Sequence, residues 1–300
     1  MSSEGTLLSS SPFRRDALEG KCVLITGGGT GIGFGIATCM GLHGAKVAIA
    51  SRRQSVIDEA CGKLRRMGVK HVFGSTLDVR NAQSCEKLVA DTVRAFGGLD
   101  VLVNNAAGNF MVSAENLTEN GFRTVLDIDL QGSFRMAKAS LGALKASKGL
   151  IVNITATLQY KAMPFQLHAS AAKAGIDTMT NVLGTEWGAD YGIRVVGIAP
   201  GPIDGTVGGP NGRVFGGMKG EGKELSATKT FIPLGRFGSV HDIGMTAVFL
   251  STNAGAYINS TTIVVDGGHW HGSSAMYASM KRVIKSKSRK EKATHQSAKL

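Results

Sequence analysis

The amino-acid sequence predicts an α/β fold, a doubly wound sheet of seven parallel strands with helices on both faces, in a single domain. From Lys21 onward, short apolar runs alternate with longer amphipathic ones, which is the pattern of repeated strand–helix units. The 300 residues, 43% of them hydrophobic, are enough to bury one large core. We expect an N-terminal arm at 1–19, the folded domain at 20–270 and a basic tail at 271–300.

Each predicted strand is a short apolar run bounded by polar residues or glycine. The seven runs are Cys22–Thr26, Lys46–Ala50, Val69–Leu77, Asp100–Asn104, Gly149–Ile154, Ile193–Ala199 and Thr261–Val265. The predicted helices between them are Gly31–His43, Ser55–Met67, Ala82–Phe96, Thr118–Ala146, Phe165–Ala189 and Val240–Ser251. Ser239 and Asp242 have the spacing of a capping box at the start of the last helix. Eight glycines between Gly205 and Gly222 predict a loop, interpreted either as a substrate lid or as disorder without function.

The first strand runs directly into a glycine-rich turn where the first helix should begin. Gly27, Gly31 and Gly33 have the spacing TGxxxGxG, which lets the backbone turn tightly and approach a pyrophosphate. Thr30 and Ile32 lie inside this turn, where backbone N–H groups and the helix dipole favour an anion. An ordinary turn can show the same spacing by chance, but here a second motif follows. We therefore predict a Rossmann-type dinucleotide site.

The second strand ends in Ser51, Arg52 and Arg53, at the place where such a fold reads the adenosine ribose. A carboxylate there would accept hydrogen bonds from both ribose hydroxyls and repel a phosphate. A hydroxyl and two guanidinium groups instead suit a 2′-phosphate. The sequence therefore predicts NADP(H) as the cofactor.

Charge and cysteine usage exclude several classes of function. Residues 281–300 hold eight Lys or Arg against one acidic residue, so much of the net charge of +12 belongs to the tail. No aromatic residues interleave these charges, and we predict a solvated extension without a nucleic-acid partner. No uncharged apolar run reaches the roughly 18 residues of a membrane span, and the serine-rich N-terminus lacks a signal-peptide core. The widely spaced Cys22, Cys39, Cys61 and Cys85 indicate reduced thiols of an intracellular protein.

Residues 20–268 resemble the short-chain dehydrogenase/reductase family. The matching motifs are TGGGTGIG, Asp78, Asn104–Gly108, Lys173, Pro200–Ile203 and Asp266–Gly268. The resemblance implies that Asp78 meets the adenine and that Lys173 holds the nicotinamide ribose, while Asp266 is structural. It also implies further cofactor contacts, from Asn105, Ala106 and Ala107 at the floor of the cleft and from Pro200, Gly201, Ile203 and Thr206 beside the nicotinamide.

The chain departs from that family at its two catalytic hydroxyls. The family's tyrosine, four residues before the lysine, is replaced by Ala169, and its serine, thirteen residues earlier, by Ala156. Reduction of a ketone needs a proton for the developing alkoxide, and an aligned acid is worth about two to four orders of magnitude. Reduction of a conjugated thioester instead places charge on the thioester oxygen and the final proton on carbon. That chemistry needs an oxyanion site and a positioned water more than a phenol.

Further motifs resemble the peroxisomal 2,4-dienoyl-CoA reductases within this family. They are AAGNF from Ala106, VLDID from Val125, ITATL from Ile154 and PGPIDGT from Pro200. The resemblance implies that Asp129 and Lys173 are the catalytic residues, with an acyl-CoA as substrate. It also implies that Arg52, Arg80, Phe110, Thr118 and Asn120 contact the acyl-CoA.

Several alternatives stay open. Asp129 could instead be a residue at a helix kink that binds backbone, and Tyr160 could supply the acid from another direction. His168 and Ser170 are interpreted as pocket lining, and His269 and His271 as rim residues and not metal ligands. A carbonyl or enoyl reductase of the same fold, and a protein that binds NADPH without turnover, are the alternative functions.

The last three residues, Ala298-Lys299-Leu300, match the small-basic-leucine form of the peroxisomal address, which an import receptor reads. We therefore expect a peroxisomal protein. The family resemblance also implies a homo-oligomer that pairs the helices at Thr118–Ala146 and Phe165–Ala189.

Overall fold

The computed structural model describes residues 11–206 and 232–272, which form a sheet of seven parallel strands in the order β3-β2-β1-β4-β5-β6-β7. The strands are β1 Cys22–Thr26, β2 Lys46–Ser51, β3 Val72–Thr76, β4 Val101–Asn104, β5 Leu150–Ile154, β6 Arg194–Pro200 and β7 Thr261–Val265. The predicted Rossmann-type sheet is therefore confirmed. Most of the glycine-rich segment after Gly205 and all of the tail after Gly272 lie outside the described residues.

Seven α-helices connect the described strands. They are α1 Gly31–Leu42, α2 Gln54–Arg66, α3 Ala82–Phe96, α4 Glu119–Leu126, α5 Gly132–Ser147, α6 Leu167–Tyr191 and α7 Val240–Ser251. The capping box at the start of α7 is confirmed, because Ser239 Oγ accepts from the Asp242 N–H while the Asp242 carboxylate accepts from the Ser239 N–H. Within the described part of the chain, no helix is both long and apolar enough to cross a membrane.

The core lies on both faces of the sheet because strand side chains alternate between them. Val23 and Ile25 of β1 pack on the face that carries α1, α2 and α7, whereas Leu24 packs on the face that carries α3, α5 and α6. The same alternation places Ile49 of β2 on the first face and Ala48 on the second. Both faces are therefore closed by helices.

The predicted third strand began three residues too early. Gly68 (φ 86°) ends α2 in the left-handed region, and the N–H groups of Gly68 and Val69 donate to the carbonyls of Arg65 and Leu64. This is the hydrogen-bond pattern of a Schellman motif. Val69 therefore belongs to the cap of α2, and pairing with β2 begins only at Val72.

The single helix predicted over Thr118–Ala146 is wrong in its interior. Thr118 is the N-cap, whose hydroxyl accepts from the Gly121 N–H (3.1 Å), and the helix begins at Glu119. A π-helical turn over Asp127–Gln131 then separates α4 from α5 without breaking the rod. Such wide turns occur frequently at functional sites.

Candidate active site

A cleft of about 740 Å³ opens at the carboxyl ends of the strands, where β1 and β4 are neighbours and the chain order of the sheet reverses. Most residues predicted to bind cofactor or substrate line it. These are Gly27, Thr30, Gly31, Ile32, Ser51, Arg52, Arg53, Asp78, Arg80, Asn105, Ala106, Ala107, Asp129, Lys173, Pro200, Gly201, Ile203 and Thr206. Gly33, Phe110, Thr118 and Asn120 are not among the lining residues.

The glycine turn fits a dinucleotide phosphate. Gly27 (φ 65°) and Gly31 (φ 54°) adopt left-handed backbone conformations, and a Cβ at Gly27 would lie 2.8 Å from the Asn105 amide nitrogen. Gly33 acts by packing, since a Cβ there would meet the Gly27 carbonyl at 2.5 Å. Thr30 is the N-cap of α1, yet its side chain makes no capping hydrogen bond. The N-terminus of α1 and an unused hydroxyl therefore face the cleft, and these residues fit the predicted cofactor.

The part of the cleft beside the ends of β2 and β3 carries three arginines. Arg80 is already engaged, because its guanidinium contacts both carboxylate oxygens of Asp78 (2.6–3.2 Å) and so lowers the pKa of that carboxyl. Arg52 and Arg53 are exposed, and the charge of Arg52 adds to the effect of Arg80 on the pKa of Asp78. Two exposed guanidinium groups beside Ser51 suit the 2′-phosphate of NADP(H).

The part of the cleft beside the ends of β4 and β5 holds a buried ion pair. Asp129 Oδ2 lies 3.3 Å from Lys173 Nζ, and their side chains are 1% and 11% exposed. Asp129 Oδ1 accepts from the Gly108 N–H (2.7 Å), and Lys173 Nζ donates to the Ile154 carbonyl (3.1 Å). Burial raises the pKa of Asp129, while Lys173 opposes that shift. The alternative interpretation of Asp129 is thus correct in that the carboxyl binds a backbone N–H group, and the ion pair with Lys173 is present as well.

Alanines occupy the two hydroxyl positions in the same cleft. Ala156, after β5, and Ala169, in the first turn of α6, line the same cleft as Asp129 and Lys173. Tyr160 does not line it, and its hydroxyl donates to Asp177 (2.9 Å). Burial, together with that carboxylate, raises the pKa of Tyr160 to about 12. A phenol so placed is a poor candidate for the missing acid.

The histidines divide between the wall of the cleft and the core. His168 is buried with its ring centroid 4.3 Å from that of Phe110, and burial lowers its pKa. Neither His168 nor Ser170 lines the cleft, so their interpretation as pocket lining is wrong. His269 does line it, whereas His271 stacks on Trp270 at 4.0 Å.

Residues 27–269 match the family model described as enoyl-(acyl carrier protein) reductase. A peroxisomal 2,4-dienoyl-CoA reductase of Arabidopsis thaliana is 47% identical over 87% of this chain and 88% of its own. The chain belongs to the short-chain dehydrogenase/reductase family. A second relative of the same name, from Danio rerio, is 38% identical to this short-chain reductase over 93% of the chain and 91% of its own.

Solved structures of this family share the fold. A short-chain dehydrogenase from Bacillus anthracis has a TM-score of 0.76 and 38% identity, and the match covers 84% of this reductase and 97% of that chain. A variant actinorhodin polyketide ketoreductase, solved with NADPH, has a TM-score of 0.78 and 28% identity over 83% of this chain and 97% of its own.

The structure places other predicted residues in structural roles. Asp266 accepts from the N–H groups of Gly268 (2.8 Å) and Trp270 (2.7 Å), so it holds the turn after β7 as expected of a structural residue. Asn120 accepts from Arg123 on the surface of α4, near the cap formed by Thr118. The acyl-CoA role of Thr118, Asn120 and Phe110 stays a prediction.

A network of hydrogen-bonded polar side chains crosses two strands of this reductase, and it was not predicted from the sequence. Asn104 and Asn153 are register partners on β4 and β5, and their amides are joined at 2.9 Å. Asn153 donates onward to Thr180 of α6 (2.9 Å), while Asn104 reaches the Ser133 carbonyl (3.3 Å). Ser133 Oγ in turn donates to the Asp129 carbonyl (2.6 Å). An asparagine near the carboxyl end of each of two buried, neighbouring strands is the signal that could have indicated this network.

Proposed function

We propose that this protein is a peroxisomal NADPH-dependent 2,4-dienoyl-CoA reductase, which forms a 3-enoyl-CoA during β-oxidation of unsaturated fatty acids. The observation that carries the proposal is the buried Asp129–Lys173 pair facing a cleft in which alanines occupy both hydroxyl positions. Relatives with this name match the chain at 47% and 38% identity over most of its length. The protein is an oxidoreductase that uses NADP(H).

The missing hydroxyls favour a conjugated thioester over a ketone. An alkoxide formed in this cleft would find Ala156 and Ala169 at the two hydroxyl positions, and a methyl side chain has no acidic proton to donate. A dienoyl thioester needs no proton on oxygen, because the charge can spread to the thioester carbonyl until the α-carbon is protonated. The alanines also leave space that the substrate chain can occupy.

NADPH, when bound, supplies the hydride. The turn at Gly27–Gly33 would hold its diphosphate, and Arg52 and Arg53 would hold the 2′-phosphate. Lys173 has two roles in this proposal, since its ammonium group can hold the nicotinamide ribose while it pairs with Asp129 at 3.3 Å. The cofactor is thereby fixed beside the carboxyl.

Asp129 organises the proton delivery. Its Oδ1 is anchored by the Gly108 N–H and its Oδ2 by Lys173, so the carboxyl has one orientation at the wall of the cleft. Burial raises its pKa and makes it a better proton carrier near neutral pH than a surface aspartate. We propose that it holds and polarises the water that protonates the substrate's α-carbon.

The test compares three substrates with the purified protein and NADPH: a 2,4-dienoyl-CoA, a 2-enoyl-CoA and a simple ketone. We expect rapid consumption of NADPH with the dienoyl-CoA alone. Cofactor deuterated at the transferable position should place deuterium on the δ-carbon, and reaction in heavy water should place it on the α-carbon. The product should be the 3-enoyl thioester.

The other two substrates test the alternative functions directly. The matched family model is described as an enoyl-(acyl carrier protein) reductase, and faster turnover of the 2-enoyl-CoA would favour that function. Turnover of the ketone would indicate an acid other than the missing phenol. NADPH binding without reduction of any of the three would refute the enzyme assignment.

Two partners follow from the proposal. The import receptor would read the tripeptide Ala298-Lys299-Leu300, which lies outside the described residues, and removal of Leu300 should leave a fluorescent fusion in the cytosol. A homo-oligomer would pair α4, α5 and α6 with a second copy. The half-exposed apolar side chains of Phe134 on α5 and Val182 on α6 support this arrangement. The molar mass from light scattering, measured as the protein elutes from a size-exclusion column, tests it.

A further inference from the structure

Two amide side chains meet on the wall of the cleft. Asn109 Nδ2 donates to Gln166 Oε1 at 2.7 Å, and both residues line the cleft. Gln166 is 1% exposed, yet its Nε2 has no hydrogen-bond partner among the described residues. An unpartnered buried donor costs about 1–3 kcal/mol, so its presence in a wall that faces a cleft indicates an acceptor supplied by the ligand.

The backbone directs Gln166 inward at a cost. Phe165 has φ 68°, an uncommon conformation for an aromatic residue, and its carbonyl accepts from the Val112 N–H (3.1 Å). Phe165 and Leu167 are both 52% exposed, whereas Gln166 between them is buried. Gln166 is also the N-cap of α6, but its side chain makes no capping hydrogen bond. Its amide therefore does not cap the helix, and the residue lines the cleft.

This amide pair lies next to the catalytic carboxyl and the vacant phenol position. Asn109 directly follows Gly108, whose N–H binds Asp129 Oδ1. Gln166 lies three residues before Ala169, which is about one helical turn. The amide pair therefore lines the same cleft as Asp129 and Ala169.

We propose that the Asn109–Gln166 amide pair is the oxyanion site of the reaction, with Gln166 as a catalytic residue that donates to the thioester oxygen and Asn109 as its positioning residue. This inference rests on the proposed function, since it requires a conjugated thioester as substrate. Asn109 donates to Gln166 Oε1, which leaves the Gln166 N–H group and the Asn109 carbonyl oxygen without partners among the described residues, and the N–H group is the one that can stabilise an oxyanion. The pair thus supplies the stabilisation that the two missing hydroxyls cannot.

The electron balance requires such a donor. As a new C–H bond forms at the δ-carbon, the γ,δ electron pair becomes the β,γ double bond and the α,β pair moves to the bond between the α-carbon and the carbonyl carbon. The carbonyl pair then resides on oxygen, where the amide N–H meets it. Protonation of the α-carbon restores the carbonyl and leaves the 3-enoyl thioester and NADP⁺.

The free donor is a property of the pair. If both amides exchanged their nitrogen and oxygen ends, the hydrogen bond between them would persist and Asn109 would present the free N–H group. Variants at both positions are therefore needed. Gln166→Met removes one amide with little change in volume, and Asn109→Leu removes the other.

The first readout is kinetic. We expect Gln166→Met to lower kcat for the dienoyl-CoA by about 10²–10³-fold, with a smaller change in KM and unchanged NADPH binding. Gln166→Glu should be at least as slow, because it places a second carboxylate where the oxyanion forms. Asn109→Leu should lower kcat less than Gln166→Met if Gln166 is the donor.

The second readout needs no turnover. A hydrogen bond to the thioester oxygen favours the charge-separated form of the conjugated system and shifts its absorption to longer wavelength. We expect this red shift for dienoyl-CoA bound with NADP⁺ to the unaltered protein, and its loss in Gln166→Met. Gln159→Met is the matched control, since that amide lies in the same loop but donates to Asp177 (2.6 Å) and does not line the cleft.

Each outcome decides the question. Melting temperatures of the variants distinguish a folding defect from a catalytic one. The double variant Asn109→Leu/Gln166→Met should be as stable as the unaltered protein, because both polar partners are replaced together. Unchanged kcat and an unchanged red shift in both single variants would overturn the oxyanion assignment and leave the proposed function intact. Failure of the unaltered protein to reduce dienoyl-CoA would overturn both.

Discussion

Replacing Asp129 with asparagine separates charge from shape at the centre of the site. The amide can keep the hydrogen bond from the Gly108 N–H through its oxygen, but it then places an NH₂ group against Lys173 Nζ, where a carboxylate oxygen now lies at 3.3 Å. We expect NADPH binding to be nearly intact and the single-turnover rate with dienoyl-CoA to fall by about two orders of magnitude or more, the scale of lost acid–base assistance.

The structure also sets the stability cost of this change. Breaking a buried ion pair typically costs about 3–5 kcal/mol. Lys173 keeps its hydrogen bond to the Ile154 carbonyl at 3.1 Å, so the lower end of that range applies. At about 2–4 °C per kcal/mol for a domain of this size, Tm should fall by roughly 6–12 °C. Assays run well below the lowered Tm of the variant therefore measure the loss of chemistry and not unfolding.

Asp127→Asn is the matched control, because Asp127 belongs to the same π turn but pairs with Arg135 at 2.8 Å. It should keep the single-turnover rate. Lys173→Ala should damage both NADPH binding and turnover, and adding Ala169→Tyr should rescue neither catalytic variant, since a phenol there addresses an alkoxide and not a carbon atom. A full rate in Asp129→Asn at saturating NADPH would exclude the carboxyl from the mechanism.

Replacing Arg52 and Arg53 together with alanine should weaken NADPH far more than NADH, by about 10–100-fold for each lost charge-assisted contact, and titration of the unaltered protein should show NADPH bound more tightly than NADH. Tyr160→Phe should leave turnover unchanged, because the hydroxyl is bound outside the cleft; a slow variant would reinstate the phenol as the acid. Arg236 lowers the pKa of Asp242, so the stability from this carboxylate is present above its ordinary pKa and is lost as pH falls through the folded value. The Tm difference between the protein and Asp242→Asn should therefore be largest near pH 7 and shrink below about pH 4; a constant difference would mean that the charge is irrelevant.

The strand–helix pattern predicted the fold well because the signal is local. A buried parallel strand must be an apolar run, and β1 and β7 were placed to the residue at both ends. Boundaries failed where a backbone hydrogen bond decides between neighbours of similar character. Val69 is as apolar as a strand residue, but its N–H belongs to the Leu64 carbonyl at the end of α2.

The site was predictable where its residues follow a strand in a fixed motif and unpredictable where they meet across the chain. The turn at Gly27–Gly33 is contiguous and carries its chemistry in its spacing. Asn109 and Gln166 are 57 positions apart, and nothing in either neighbourhood shows that the two amides are paired. The left-handed backbone at Phe165 could not be predicted either, because aromatic residues rarely adopt that conformation.

The π turn at Asp127–Gln131 limits how this site can evolve. An α-helix advances by about 100° and 1.5 Å for each residue, so deleting one residue from the turn would rotate all of α5 relative to α4 by that amount. Buried Met136 would leave the core, and half-exposed Phe134 would change direction. Substitution can therefore exchange the chemical group at position 129, whereas insertion or deletion would dismantle the packing on which its direction depends.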